Sequence, residues 1–216
     1  MFNAIKEIKD KHKTQEANIP KILADIETTI LGLKEEVDLF SKAIDVVEQQ
    51  YGKHHEAAEV STIFPFLNLS MIDIFILHKQ YLNTKDIIEK NFICRTAAQH
   101  MYEFLEDCSK ALGKQIGHLI GKLNDPEINV ELKALRKTFN ELKTELHSPL
   151  KKLRHNVSGH KDRDIRNQLA ISNAINIIDF QKNFILFMLF FMTLTQFKKN
   201  LINKLEKRKL GDDITS

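Results

Sequence analysis

Residues 20–51 read PKILADIETTILGLKEEVDLFSKAIDVVEQQY and set the fold class of the chain. Apolar side chains recur through this stretch at alternating steps of three and four residues, at Leu23, Ile26, Ile30, Leu33, Val37, Phe40, Ile44, Val47 and Tyr51. Such a heptad seam is typical of a coiled coil or of a long bundle helix. We expect this helix to begin at Pro20, after a short charged helix over residues 2–16. The seam either forms a dimer or, as we favour, packs against the chain's own helices.

The rest of the chain carries further helical patterns. Apolar stripes predict helices over residues 67–82, 85–112, 132–146 and 165–209. Turn-forming residues are scarce, with 7 Gly and 4 Pro in 216 residues. We therefore predict an all-α protein, a helical bundle of about four to five helices with a long N-terminal coiled-coil-like helix. The pattern breaks at Ser61–Pro65, which suggests an N-terminal helical arm (1–60), a helical bundle (61–210) and a tail (211–216).

Local signals mark some helix ends and one unusual segment. Asn83-Thr84, with Asp86 in the following first turn, and Asp125, followed by Pro126, are predicted to cap helices. Small residues then recur every four positions beside an apolar face, at Gly113, Gly117 and Gly121. This spacing either permits close approach of another helix or loosens the segment, because glycine disfavours helix.

The charge distribution suggests an anionic partner. The net charge is only +3, but residues 133–166 hold ten Lys or Arg against four acidic residues, and residues 198–209 hold six against one. A basic zone of this kind fits RNA. Lysines that merely solvate helix faces would give the same pattern.

Cysteine usage and hydropathy indicate the compartment. Cys94 and Cys108 fall on one predicted helix and form no disulfide framework, which favours the reducing cytoplasm. Residues 1–17 mix charged with apolar residues and do not resemble a signal peptide. Residues 183–197 carry no charge, but 15 residues fall short of the roughly 20 that span a bilayer. We expect burial in the bundle or in a dimer interface, and no membrane partner.

The stretch Ser148–His160 holds the candidate site. Ser148 can cap a new helix, Pro149 suits its first position, and Gly159 can end it. Arg154 would then lie on the helix and His160 just beyond its end. Between them lie His155 and Asn156.

These residue types can cleave RNA without a metal ion or another cofactor. An imidazole such as that of His160 can take the proton of a ribose 2′-hydroxyl. The guanidinium of Arg154 can hold two phosphate oxygens and stabilise the transition state. His155 or Asn156 can orient the phosphate or assist the leaving group. The expected product is a 2′,3′-cyclic phosphate.

Arg154-His155, followed by four residues and then His160, between two long helices, resembles the active-site motif of HEPN domains (higher eukaryotes and prokaryotes nucleotide-binding). The resemblance covers residues 66–209. It implies a helical bundle, many of whose members are ribonucleases of toxin–antitoxin and antiphage systems. It also implies a homodimer whose two motifs face each other, with an antitoxin or other protein as a further partner. Arg154 and His160 would be catalytic, His155 would take the polar position and Asn156 would assist. Gly159, directly before the histidine, departs from the motif.

Other interpretations remain open at this stage. Arg154 and His160 can instead bind the exposed carbonyls of a helix end. A zinc site of His147, His155 and His160 is disfavoured, because no Cys or carboxylate lies at ligand spacing. A second Arg and His pair, Arg95 and His100, would point roughly 140° apart on a continuous helix. The alternative function is a non-catalytic interaction module that uses the heptad seam and residues 184–197.

Overall fold

A computed structural model describes residues 2–52, 56–157 and 177–212, with side chains for 18–50, 52, 58–151, 154 and 180–207. These ranges are helical nearly throughout and contain no strand, which confirms the all-α prediction. The helices are α1 (Phe2–Tyr51), α2 (Glu56–Asn83), α3 (Ile87–Lys110), α4 (Ile116–Leu123), α5 (Pro126–Val157) and α6 (Ile177–Asp212). A π-helical turn, Ala111–Gln115, joins α3 to α4.

Helices α2, α3, α5 and α6 form an up-down-up-down bundle, and α1 packs along α2. Polar contacts between neighbours give the antiparallel directions. On α5 and α6, Lys204 Nζ contacts Glu127 Oε2 at 2.5 Å, and Lys182 Nζ contacts Glu145 Oε1 at 2.8 Å. Since residue numbers rise on one helix as they fall on the other, α5 and α6 are antiparallel. This up-and-down order is a common topology of four-helix bundles.

Phenylalanines of α6 fill the centre of the bundle. The Phe75 ring of α2 packs edge-on against Phe184 and Phe191, with centroids 5.8 and 6.2 Å apart. The Phe104 ring of α3 lies 5.7 Å from that of Phe187. Aromatic pairs of this geometry add to the free energy gained by burial. One face of the uncharged run 183–197 is therefore core, as the sequence favoured.

Three prolines lie inside helices, contrary to expectation. Pro20 does not begin a helix, because α1 starts at Phe2 and continues through it. The expected break at 61–65 is likewise absent from α2, which contains Pro65. Ser148 and Pro149 do not start a helix either, since α5 runs through them. An interior proline costs about 3 kcal/mol. Apolar burial offsets this cost, as Leu146 and Leu150 on either side of Pro149 are both fully buried.

Glycine and aspartate residues next to the helices determine where several helices begin or end. Gly52, with φ +82°, follows α1, and its N–H donates to Glu48 O. Asp86, expected in a first turn, is itself the N-cap of α3, because its Oδ1 accepts from Ile88 N at 2.8 Å. Asp125 caps α5 in the same way, as predicted, and accepts from Glu127 N at 2.9 Å. These side chains satisfy backbone donors that a helix leaves unpaired.

The N-terminal part of the heptad seam packs within the chain. Ile26, Ile30 and Leu33 are buried in the same core as the bundle helices. Val37 and Phe40 are half-buried against that core. This packing favours the intramolecular interpretation of the seam for these positions. The division of the chain at residue 60 and the dimer stay predictions.

Only one of the three spaced glycines is closely approached. A Cβ at Gly117 would lie 2.5 Å from Nη2 of Arg136, whereas Gly113 and Gly121 have no such neighbour within 4 Å. Arg136 reaches from α5 to the π-helical turn, where Nε donates to Leu112 O at 2.9 Å and Nη2 to Gly113 O at 3.1 Å. The glycine thus makes room for a side chain that pairs with backbone carbonyls.

Two described helices are long and apolar enough to cross a membrane, by length and composition alone. They comprise Ala58–Asn83 and Phe180–Lys207. The apolar window of the first is mostly buried within the protein, and that of the second is buried over less than half of its residues. Core helices of soluble proteins meet the same criterion.

Candidate functional site on α3 and α5

Of the four predicted site residues, Arg154 alone has a described side chain. It lies in the last turn of α5. His155 and Asn156 belong to the same turn by their backbone, but their side chains lie outside the described residues. Gly159 and His160 lie outside the described residues altogether, so the predicted approach of His160 to Arg154 stays a prediction.

The guanidinium of Arg154 lies over the ring of Tyr102 on α3, with Cζ 5.0 Å from the ring centroid. This cation–π contact fixes the positive charge at the end of the bundle. Tyr102 itself is buried, so its ring is a firm support. Arg154 is therefore held in place by an aromatic side chain.

A histidine of α5, His147, also contacts Tyr102. His147 lies two turns before Arg154 on α5, and its ring centroid is 5.2 Å from that of Tyr102. Its Nε2 lies 3.1 Å from Oε1 of Glu106 on α3. Lys143 Nζ lies 3.2 Å from the same oxygen. We name these five residues, Tyr102, Glu106, Lys143, His147 and Arg154, the α3–α5 polar cluster.

The electrostatics of the polar cluster favour anions. Burial by itself would raise the pKa of Glu106, but the hydrogen bond and charge of Lys143, together with His147, lower it. Glu106 is thus ionised at neutral pH and balances one positive charge. Among these five residues, Lys143 and Arg154 are cationic and Glu106 alone is anionic, so the cluster taken by itself carries positive charge. An excess of positive charge at a partly exposed site attracts phosphate groups.

Sequence reasoning missed Tyr102 and Glu106 and their contacts with His147 and Arg154. The spacing of Lys143, His147 and Arg154 places all three on one face of α5, and this signal is present in the sequence. The partner residues on α3 depend on the register between two helices, which no local pattern specifies. The tertiary structure was needed to bring Glu106 to His147.

The second Arg and His pair does not form a comparable site. Helix α3 runs unbroken through Arg95 and His100. His100 Nδ1 lies 3.8 Å from Asp73 Oδ2 on α2, on the side of α3 that faces α2. Because the helix is unbroken, the expected separation of roughly 140° between the two side chains is confirmed.

A groove of about 890 Å³ lies away from the polar cluster, between α1, α2 and the start of α3. The ion pair of Lys79 and Glu27, at 2.6 Å, borders it. Its other charged lining residues are Lys34, Lys85, Asp86 and Glu89, so basic and acidic groups balance. The groove therefore lacks the charge excess that the polar cluster has.

The fold and the polar cluster define an all-α bundle with a cationic, aromatic-backed surface between two helices. No protein-family model, curated protein or solved structure matches the chain. The assignment of function rests on the residues themselves.

Proposed function

We propose that this chain is a HEPN-like, metal-independent endoribonuclease. The observation that supports this proposal best is the cation–π contact of Arg154 with the Tyr102 ring, beside the basic side chain of Lys143. A fixed guanidinium in the last turn of α5, six residues before His160 in the sequence, suits the binding of a scissile phosphate. The up-and-down bundle agrees with the fold that the resemblance implies.

In the proposed reaction, Arg154 binds the non-bridging oxygens of one phosphodiester. His160 takes the proton of the adjacent 2′-hydroxyl, and the 2′-oxygen forms a bond to phosphorus as the bond to the 5′-oxygen breaks. His155 or Asn156 orients the phosphate. The leaving 5′-oxygen takes a proton from water, and His160 later returns its proton to water, so the products are a 2′,3′-cyclic phosphate and a 5′-hydroxyl and no metal ion is needed. The resemblance suggests a toxin or antiphage protein of the cytoplasm, silenced by an antitoxin or other partner.

The proposal is tested by incubating the full chain with a pool of single-stranded oligoribonucleotides in EDTA. Cleavage with cyclic-phosphate ends is expected for the wild type. Arg154→Ala and His160→Ala should each lose it, and Arg154→Lys should retain only a part, because lysine cannot bind two oxygens in the guanidinium geometry. Lys42→Ala, at an exposed position of α1 outside the basic zones, is the control. Cleavage that survives both substitutions, or no cleavage by the wild type, contradicts the proposal.

A specific observation also favours the second candidate function, a non-catalytic dimerisation module. On α6, Ile185, Leu189 and Met192 are 57, 58 and 64% exposed. These residues are four and three positions apart, so they form one apolar stripe on the exposed face of α6. In an antiparallel pair of α6 helices centred on Leu189, Ile185 of one protomer would face Met192 of the partner subunit. This exposed stripe of α6 therefore fits a second copy of this chain.

Analytical ultracentrifugation tests the dimer. Leu189→Asp should shift a dimer to a monomer, because it places a charge at the centre of the exposed α6 stripe. Leu39→Asp makes the same substitution at an exposed leucine of α1, away from this α6 surface, and should leave the dimer intact. A wild-type monomer, or a dimer that tolerates Leu189→Asp, argues against this surface. Phe190 is unsuitable for the test, because it is buried in the core.

A further inference from the structure

We propose that the groove between α1, α2 and the start of α3 binds a short acidic peptide segment of a partner protein. This segment carries a carboxylate at each end and an apolar side chain in the middle. The groove measures about 890 Å³ and lies away from the α3–α5 polar cluster, so the proposal goes beyond the proposed reaction. A volume of this size is typical of ligand sites in proteins. We name it the α1–α2 groove.

One ridge of each helix forms a long wall of the α1–α2 groove. The lining residues of each ridge follow the spacing i, i+3, i+4 and i+7 and share one helix face: Glu27, Ile30, Leu31 and Lys34 on α1, and Ile76, Lys79, Gln80 and Asn83 on α2. Lys79 Nζ lies 2.6 Å from Glu27 Oε1. Asn68 Nδ2 of α2 lies 2.9 Å from Glu36 Oε2 of α1, so the two walls are antiparallel. The groove therefore extends from Lys34, past the Lys79–Glu27 pair, to Asn83.

The length of the α1–α2 groove matches a short extended peptide. Lys34 lies seven residues from Glu27 on α1, and Asn83 lies four residues from Lys79 on α2. At about 1.5 Å of rise per residue, the groove is roughly 16 Å long between Lys34 and Asn83. An extended chain of about five residues covers this distance, because each residue of a strand advances about 3.3 Å.

The acidic side chains that line the α1–α2 groove are already engaged. Glu27 pairs with Lys79. Asp86 caps α3, where its Oδ1 accepts from two backbone N–H groups of the first helical turn at 2.8 and 2.9 Å. The Glu89 carboxylate accepts a hydrogen bond from the Thr84 hydroxyl. Basic and acidic groups balance in number here, but the acidic groups have partners within the protein.

The polar groups that remain available are cations and amides at the two ends of the α1–α2 groove. Lys34 at one end and Lys85 at the other make no ion pair with any residue whose side chain the structure describes. Within the same described residues, the side-chain amides of Gln80 and Asn83 make no hydrogen bond. Two ammonium groups so placed complement two carboxylates, and each amide offers a donor and an acceptor to a peptide group.

The middle of the α1–α2 groove is apolar. Ile30 is buried, and Ile76 is half-buried against the core. Leu31 is 58% exposed. An apolar side chain of the peptide would cover Leu31 and remove apolar surface from water, which favours binding. The groove thus selects the order carboxylate, apolar side chain, carboxylate.

Fluorescence anisotropy of a fluorescein-labelled pentapeptide, titrated with the full chain, tests the proposal. This probe has glutamate at both ends, leucine in the middle and alanine between them. Replacing both glutamates by glutamine should weaken binding roughly tenfold, and added salt should weaken it too, because both ends bind through charge. Lys34→Met and Lys85→Met should each weaken binding of the glutamate probe roughly two- to fivefold. Leu31→Asp should abolish it, because a carboxylate then replaces the apolar contact and repels the probe.

Lys42→Met, which removes an exposed lysine of α1 outside the groove, is the matched control and should bind the glutamate probe as the wild type does. The proposal is wrong if the wild type does not bind this probe at millimolar concentration, or binds the glutamine version equally well. It is also wrong if Lys34→Met and Lys85→Met both keep the wild-type affinity. If Lys143→Met loses the probe while these two variants keep it, the peptide binds at the polar cluster instead. None of these outcomes depends on RNA cleavage, so the two proposals stand or fall separately.

Discussion

Lys198 and Glu36 form an ion pair, with Nζ 2.5 Å from Oε1, that joins α6 to α1; Lys198 is buried and Glu36 is half-buried. The second oxygen of Glu36 accepts a hydrogen bond from Nδ2 of Asn68 on α2 at 2.9 Å. Lys198 is only 3% exposed. Burial lowers the pKa of Lys198, and the hydrogen bond and charge of Glu36 oppose that shift. Helices α1, α2 and α6 are therefore joined through Glu36, whose negative charge compensates the buried ammonium of Lys198.

Removing one member of this pair should destabilise the protein strongly. Glu36→Gln leaves the ammonium of Lys198 buried without a counter-charge, and we expect a loss of about 3–5 kcal/mol in the free energy of unfolding. Urea unfolding followed by circular dichroism measures it. The double variant Glu36→Leu with Lys198→Met should recover most of the loss, since no buried charge remains.

The exposed pair of Lys79 and Glu27 provides the control for this prediction. Lys79→Met should change stability by less than about 1 kcal/mol, because water already solvates both groups. A loss for Glu36→Gln as small as that for Lys79→Met would show that the buried pair does not hold α1 on the bundle.

His78 should make stability depend on pH. Its ring stacks on Phe184 with centroids 3.5 Å apart, and its Nδ1 has no hydrogen-bond partner. Burial lowers the pKa of His78 from 6.5 to about 4. Between these values the unfolded chain binds a proton that the folded chain does not, so stability falls as pH drops. The slope is about 1.4 kcal/mol per pH unit, or about 3 kcal/mol over the window.

Thermal unfolding at pH 7 and near pH 4.5 checks this effect. His78→Phe should remove part of the loss seen on acidification, because the new ring cannot be protonated. His118→Gln, at an exposed position, should leave the acid loss unchanged. An equal acid loss in wild type and His78→Phe would mean that other groups cause it.

Gly117 and Gly121 should respond oppositely to alanine. A Cβ at 117 meets the guanidinium of Arg136 and would push it from the carbonyls of Leu112 and Gly113. Losing these charge-assisted hydrogen bonds should cost about 1–3 kcal/mol. Gly121→Ala meets no neighbour within 4 Å and should stabilise the helix by about 0.5–1 kcal/mol. Chemical denaturation of both variants gives the two signs; the same sign for both would refute the role of Arg136.

Replacing Pro149 should stabilise α5. Alanine restores a backbone N–H in the middle of a helix and removes the clash of the proline ring, so Pro149→Ala should raise the free energy of unfolding by about 1–3 kcal/mol. Pro126, at the first position of the same helix, lacks such a cost. Pro126→Ala should therefore be neutral or slightly destabilising in the same urea titration. A loss of stability in Pro149→Ala would show that the proline has a structural role there.

Repeating apolar spacing was enough to predict the helices. The seam from Leu23 and the stripe from Leu132 gave long α-helices, because a buried face must recur with the period of the helix. The Asp125 cap was also predictable, since it depends only on neighbouring backbone donors. The predicted helix start at Pro149 was wrong, because proline preferences describe only the local backbone. They do not account for the burial of Leu146 and Leu150, which keeps α5 continuous through the proline.

The sequence by itself determined the all-helical class, most helix positions and the identity of the candidate residues, because periodicity and composition are local properties. The tertiary structure alone decided which helices are neighbours and in what register. That register places Glu106 against His147, Tyr102 under Arg154 and Glu36 against Lys198. Contacts between residues so far apart in the chain arise from the packing of whole helix faces, which no single segment encodes.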